Sequence, residues 1–187
     1  MTTPFRFRKV IALGEYEHEL RLTILRMKTD RSAFLATAIA AWLVESRRKL
    51  LEATVADVVI PMPMHRLRRW QRGVNNPDLL AEEIARRLDR PVLRNAVLRI
   101  RRTGLQFQLS RQGRTENVAG AFAVVPRRLR LLKGKNVLLI DDILTTGATC
   151  NEVARILYDA GAKSVTACVA ARAEGNVIQQ NKPIWVE

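Results

Sequence analysis

Two kinds of apolar pattern divide the chain. Continuous aliphatic runs at residues 58–60 and 137–140 predict short parallel strands, buried on both faces, and Ser164 to Ala170 reads as the next parallel strand. Between them, apolar residues recur at helical spacing. Tyr16, Leu20, Ile24 and Met27 predict a helix over residues 15–28, with Glu early and Arg and Lys late to suit the dipole. Ser32 is placed to cap a second helix over residues 33–51, with Phe34, Ile39, Trp42 and Leu43 on its apolar side. Asn75 or Asn76 before Pro77 opens a third, running to Leu88, whose buried stripe is Leu79, Leu80, Ile84 and Leu88. A fourth, from about Cys150 to Ala160, turns Val153, Ile156 and Leu157 to the sheet and stops at Gly161.

The remaining segments carry weaker signals. Residues 2–13 read as an extended lead-in, where Phe5 and Phe7 alternate with Arg6 and Arg8 as in a short edge strand. Val92 and Leu93 begin another short strand, and residues 121–125 and 184–186 have strand composition. Residues 99–117 have no clean period and read as a long mobile loop hinged at Gly104 and Gly113, while residues 127–135 form a basic connector. Strands alternating with helices, with no repeat and no dividing linker, predict an α/β fold. Its sheet is open, twisted and mainly parallel, with flanking helices. We expect one compact domain, with an extension and small helical hood over residues 1–52 and the core over 53–187.

The unit from Val137 to Ala170 has the length of a βαβ crossover. Asp141 and Asp142 end its first strand, where two adjacent carboxylates are tolerable only if that end opens on a crevice. Thr145, Thr146, Gly147, Ala148 and Thr149 follow, combining hydroxyls, a glycine that lets backbone approach a ligand, and the start of a helix. That combination suits a phosphate, and the acids upstream suit sugar hydroxyls. A Walker-type loop is excluded, because G-x-x-x-x-G-K-[ST] does not occur. A receiver domain shares paired acids but has no need of T-T-G-x-T. The strand at 58–60 exits through Pro61, Met62, Pro63, Met64 and His65 into a run dense in Arg66, Arg68, Arg69 and Arg72.

The stretch 137–149 resembles the signature of type I phosphoribosyltransferases, which bind phosphoribosyl pyrophosphate (PRPP). The resemblance implies that fold, with Asp141 and Asp142 as catalytic acids on the ribose hydroxyls and Thr145 to Thr149 around the 5′-phosphate. Three ordered blocks are similar to the ComF family within that class: Val59 to His65 continuing through Arg68–Asn75, Gln106–Arg111 continuing through Arg114, Asn117, Gly120, Ala121 and Phe122, and the PRPP stretch followed by Asn151 and Glu152. By that resemblance Met64, His65, Arg66 and Arg72 lie on the pyrophosphate side, and Gln108, Ser110, Arg111 and Arg114 belong to a lid. Mg²⁺ is implied as cofactor, held mainly by substrate rather than by protein ligands. Many family members carry an N-terminal four-cysteine zinc module, which this sequence lacks. Val74 stands where an aromatic is usual, and Asn76-Pro77 replaces a Gln-Ala-like pair. The implied activity is phosphoribosyl transfer to an unknown nucleophile with pyrophosphate release, linked to DNA uptake.

Charge opens a second reading. Thirty-two Lys and Arg against 18 Asp and Glu give +14, which calls for anionic partners. The alternative function is a non-catalytic, PRPP-regulated module that binds single-stranded DNA or competence proteins; against it, aromatics are 5% and no stacking motif occurs. The two cysteines, Cys150 and Cys168, do not make a zinc site. Both read as packing residues, although Cys150 at a helix N-terminus is a candidate for a lowered pKa. No apolar run spans a bilayer and no signal peptide is visible, so we expect a cytoplasmic protein without membrane insertion. A homodimer is an expectation from the wider fold.

Overall fold

The computed structural model describes residues 5–29, 33–64, 75–101, 111–173 and 184–185. Five strands form one sheet in the order β2-β5-β6-β1-β7. They are β1 (Lys9–Glu15), β2 (Val58–Pro61), β5 (Asn136–Leu144), β6 (Ser164–Arg172) and β7 (Ile184–Trp185). Every pairing is parallel. A separate antiparallel pair joins β3 (Val97–Arg99) to β4 (Phe122–Val124).

Parallel strands need helical crossovers, and these cover both faces. The helices are α1 (His18–Thr29), α2 (Phe34–Glu52), α3 (Asn76–Leu88), α4 (Arg111–Val118), the short α5 (Leu129–Leu132) and α6 (Ala148–Asp159). Alternation along β5 shows the division of labour. Leu138 and Ile140 face Ile24, Met27, Ile39, Leu43, Leu80 and Ile84 of α1 to α3. Val137 and Leu139 face Val153, Ala154 and Leu157 of α6, together with Val118, Phe122 and Leu132. Each fully buried Leu or Ile here contributes on the order of 1.5–3 kcal/mol.

Several expectations need correction. Residues 9–15 do not form an edge lead-in, because β1 pairs with β6 along its length and with β7 at Lys9 and Val10. Residues 1–52 thus supply an interior strand as well as helices, and α2 packs directly on the sheet while α1 reaches the C-terminal ends of the strands. Arg47, at a kink in α2, donates from Nε to the Ala12 carbonyl (3.0 Å) and covers the side of β1 that β7 does not reach. Phe34 and Trp42 are 75% and 60% exposed, so the apolar side of α2 is Ile39, Leu43 and their neighbours. Val92 forms only a single bridge to Val59, and the strand begins at Val97. Residues 111–118 are helical, which shortens the expected loop, and the basic connector contains a 3-10 turn and α5.

Candidate functional site

The site exists because β5 outruns its neighbour. β2 ends at Pro61, paired with Ile140, and the Met62 amide makes the last link by donating to the Ile140 carbonyl (2.7 Å). β5 continues to Leu144 along β6. Asp141 and Asp142 therefore emerge beside the end of β2, at the carboxyl edge where parallel sheets bind ligands. A crevice of about 440 Å³ opens there. Its floor is Asp141 to Cys150, its walls are Met62, Pro63, Met64, Asn75 and Pro77, and Tyr16, Lys28 and Arg99 reach it from other elements.

The acids are held by backbone. The Asp142 amide donates to Asp141 Oδ1 (2.8 Å) and the Ile143 amide donates to Asp142 Oδ1 (2.7 Å). Lys28, in the last turn of α1, places Nζ 3.3 Å from Asp142 Oδ2. Burial raises the Asp141 pKa well above the usual carboxylate range, and the charge of Asp142 adds to this. The Asp142 amide and Lys28 pull the other way. Asp141 therefore gains from any ligand that donates hydrogen bonds to it.

The turn that follows is built for close approach. Gly147 has φ +75°, a left-handed conformation that disfavours side chains. Thr146 is buried, and its Oγ1 accepts from the Ala148 amide at 3.5 Å. The helical ladder of α6 starts with the Asn151 amide donating to the Gly147 carbonyl (2.8 Å), and its N-cap residue, Gly147, has no side chain to bond the first amides. Hydroxyls, a positive dipole end and the backbone of a helix start are thus concentrated on one side of the crevice.

The structure brings Met64, Asp141, Asp142, Thr145, Thr146, Gly147, Ala148 and Thr149 into one cavity. His65, Arg66, Arg72, Gln108 and Ser110 lie outside the described residues, and Arg111 and Arg114 are placed on α4 by backbone alone. Cys150 corrects an expectation. Burial, then the charges of Asp141 and Asp142, push its thiol well above the ordinary value, so it is no activated nucleophile. Burial likewise pushes Cys168 to about 12.

Three contributors were not assigned a role in the crevice from sequence. Lys28 read chiefly as a helix-end charge that complements the dipole, with approach to the site as the alternative. Asn75 and Asn76 read as a helix start, yet both are buried: Asn75 Nδ2 donates to the Met62 carbonyl (3.4 Å) and Asn76 Nδ2 to the Met27 carbonyl (3.2 Å). Their amides brace the exit of β2 and the end of α1. The placement of Asn before Pro, and Asn75 at the end of the first ComF-like block, were the sequence signals for them.

No group of three or more His, Cys, Asp or Glu suited to a metal occurs among the described residues. The donor set is one carboxylate pair with a lysine beside it, which fits a cation held chiefly by substrate oxygens but not a protein-caged ion. Among the described residues no helix is long and apolar enough to cross a membrane.

Residues 79–186 match the phosphoribosyl transferase domain family. That range contains the acids, the turn and α4, but neither Lys28 nor Met62 to Met64. The chain is 31% identical over 168 residues to Competence protein F of Haemophilus influenzae, covering 88% of this chain and 73% of that protein. It is also 31% identical over 166 residues to the DNA utilization protein YhgH of Escherichia coli K12, covering 87% and 71% respectively. Among solved structures, a purine phosphoribosyltransferase from Pyrococcus horikoshii aligns over 91% of this chain and 92% of its own with a TM-score of 0.42 and 17% identity.

Proposed function

The chain belongs to the ComF family of type I phosphoribosyltransferases, and on that premise we propose that it binds PRPP with Mg²⁺ and transfers the phosphoribosyl group to a nucleophile. One observation carries the reading: two backbone-held carboxylates and a hydroxyl-rich, glycine-containing helix start line a single crevice.

The chemistry follows from what such a reaction demands. A bond forms from the nucleophile to C1 of the ribose while the C1–O bond to pyrophosphate breaks. Positive charge grows on the sugar and negative charge on the leaving group, so catalysis is mostly positioning and electrostatics. Asp141 and Asp142 accept from the ribose 2′ and 3′ hydroxyls. Those donors relieve the burial cost that raises the Asp141 pKa. Thr145 to Thr149 and the N-terminus of α6 hold the 5′-phosphate and fix the far end of the sugar. Met64, at the exit of β2, marks the pyrophosphate side. Lys28 keeps a positive charge beside Asp142, close to where an anionic substrate enters. Mg²⁺, when bound with the substrate, would supply charge neutralisation at the leaving group, and Asp141 and Asp142 are the crevice carboxylates that would lie beside it.

Calorimetry with PRPP and Mg²⁺ tests this, comparing the wild type with the double variant Asp141→Asn, Asp142→Asn. We expect binding by the wild type and its loss in the variant. Absence of wild-type binding rejects the proposal, and release of pyrophosphate only when a nucleophile is added establishes transfer.

A second reading has its own support. Arg128, Arg130, Lys133, Lys135 and Lys163 precede β5 or β6, with Lys133, Lys135 and Lys163 at the N-terminal end of those strands, and among the described residues none is joined to an acid by a salt bridge. With a net charge of +14 and relatives named for competence and DNA utilization, this surface supports nucleic-acid binding. Fluorescence anisotropy with single-stranded DNA across a salt series decides it. Micromolar binding with a steep salt slope favours it, and no binding at low salt eliminates it.

A further inference from the structure

The segment that precedes β1 lies against the turn. The Phe5 ring occupies the space over Gly147, where a Cβ would sit 2.7 Å from Phe5 Cε1. Phe5 stacks on Phe7 with centroids 4.9 Å apart and planes at 29°. Phe7 is buried in the core shared with α6. Two bonds fasten the backbone between and beyond the rings. The Arg6 amide donates to Asn151 Oδ1 in the first turn of α6 (2.6 Å), and the Arg8 amide donates to the Val165 carbonyl on β6 (2.9 Å).

These contacts address a specific weakness. Glycine gains access to φ +75° at the cost of freedom, and an unsupported turn around it samples many backbone states. A phosphate site needs its amides held within about 0.5 Å of the working geometry. The exit of β5 fixes one side of Gly147 and α6 fixes the other. The Phe5 ring fills the space beside Gly147 into which a Cβ would project, and so packs against the turn between them.

We infer that residues 5–8 form a clasp over the phosphate-binding turn, with Phe5 and Asn151 as positioning residues that prepay the ordering of the turn for a 5′-phosphate monoester. Neither residue needs to touch the ligand, since Phe5 acts through Gly147 and Asn151 through the clasp backbone. The inference rests on the proposed phosphoribosyl site for its ligand, but not for its effect on the turn.

The test compares the full-length wild type with Phe5→Ala, Phe5→Tyr and Asn151→Ala. Hydrogen exchange is measured without ligand, and calorimetry with ribose 5-phosphate, PRPP and pyrophosphate, each with Mg²⁺. In Phe5→Ala we expect exchange over residues 146–150 to quicken by about tenfold while the amides of β5 and β6 keep their protection. Ribose 5-phosphate and PRPP should weaken together by about tenfold, while pyrophosphate is unaffected. Phe5→Tyr, which keeps the ring, should behave as wild type, and Asn151→Ala should shift both readouts in the same direction as Phe5→Ala. Unchanged exchange in the turn of Phe5→Ala overturns the clasp. So does an equal loss for all three ligands with general loss of protection, which is the signature of mere destabilisation. If the wild type binds none of the three ligands, the PRPP reading falls, and exchange in the turn alone decides the clasp.

Discussion

Asp141→Asn should make the ligand-free protein more stable at neutral pH while abolishing its proposed affinity for PRPP. Asp141 sits with its carboxylate next to that of Asp142, part-buried, with its pKa raised by burial first and by Asp142 second. A carboxyl whose folded pKa lies above its unfolded value favours the folded state when protonated. Its cost to stability is therefore absent below the unfolded value near 3.8, grows as pH rises toward the raised folded value, and is complete above it. Asparagine removes that cost and keeps an oxygen for the 2.8 Å bond from the Asp142 amide. Two unit charges roughly 4 Å apart repel by about 4 kcal/mol in an effective dielectric near 20. Lys28, 3.3 Å from Asp142, and the amide bond to Asp141 offset much of this. The expected net gain is on the order of 1–2 kcal/mol, and for a chain of this length that raises the melting temperature by about 2–8 °C. Thermal unfolding at pH 7 and pH 4 measures it: the variant should melt above the wild type at pH 7, with the gap narrowing at pH 4. A variant less stable than wild type at pH 7, or a gap independent of pH, refutes the reasoning.

Other residues give sharp expectations. Lys28→Met removes the cation 3.3 Å from Asp142; PRPP affinity should fall about tenfold and lose part of its salt dependence, as calorimetry at two ionic strengths will read, and unchanged affinity would exclude Lys28 from the site. Glu83, bonded by Arg86 Nε (2.9 Å) and Arg87 Nε (2.6 Å), has its carboxyl lowered from 4.5 to about 2, chiefly by Arg86. Its contribution is complete above about 4.5 and is lost as pH falls through about 2. The stability advantage of wild type over Glu83→Gln should shrink across that window in acid melting curves, and a constant gap would contradict it. Cys150 and Cys168 are buried with raised pKa values, so iodoacetamide at pH 8 should leave both unmodified in the native protein and alkylate both in urea; rapid native labelling of Cys150 would overturn its assignment as a packing residue.

The parts of this fold that were legible share one property: their structure is written locally. The run Val137 to Ile140, the acids, the Gly147 turn and the α6 stripe follow one another within a single βαβ unit, and the structure reproduces that order. β1 was hidden because Val10 to Leu13 is a short run whose partner, β6, comes some 150 residues later. Nothing nearby distinguishes an interior strand from a lead-in. α4 was hidden because Arg111 to Val118 carries one apolar residue, Val118, and so shows no helical stripe. On α2, spacing could not say which of two apolar faces meets the sheet, and Phe34 and Trp42 fell on the outer one. In the crevice, the residues on the βαβ unit were legible, whereas Tyr16, Lys28 and Arg99 reach it from distant elements, and Phe5 packs on the turn at Gly147. Cys150 was legible as a packing residue, but a lowered thiol pKa was entertained because the helix N-terminus was weighed without its burial and the charges of Asp141 and Asp142.

A crystal structure of the protein with PRPP and Mg²⁺ puts the central claim to the test most directly. The account predicts the 5′-phosphate seated in the Thr145 to Thr149 turn at the start of α6, the ribose hydroxyls on Asp141 and Asp142, and Lys28 drawn away from Asp142 toward the substrate. PRPP bound elsewhere, or an empty turn beside acids that hold no sugar, would contradict it.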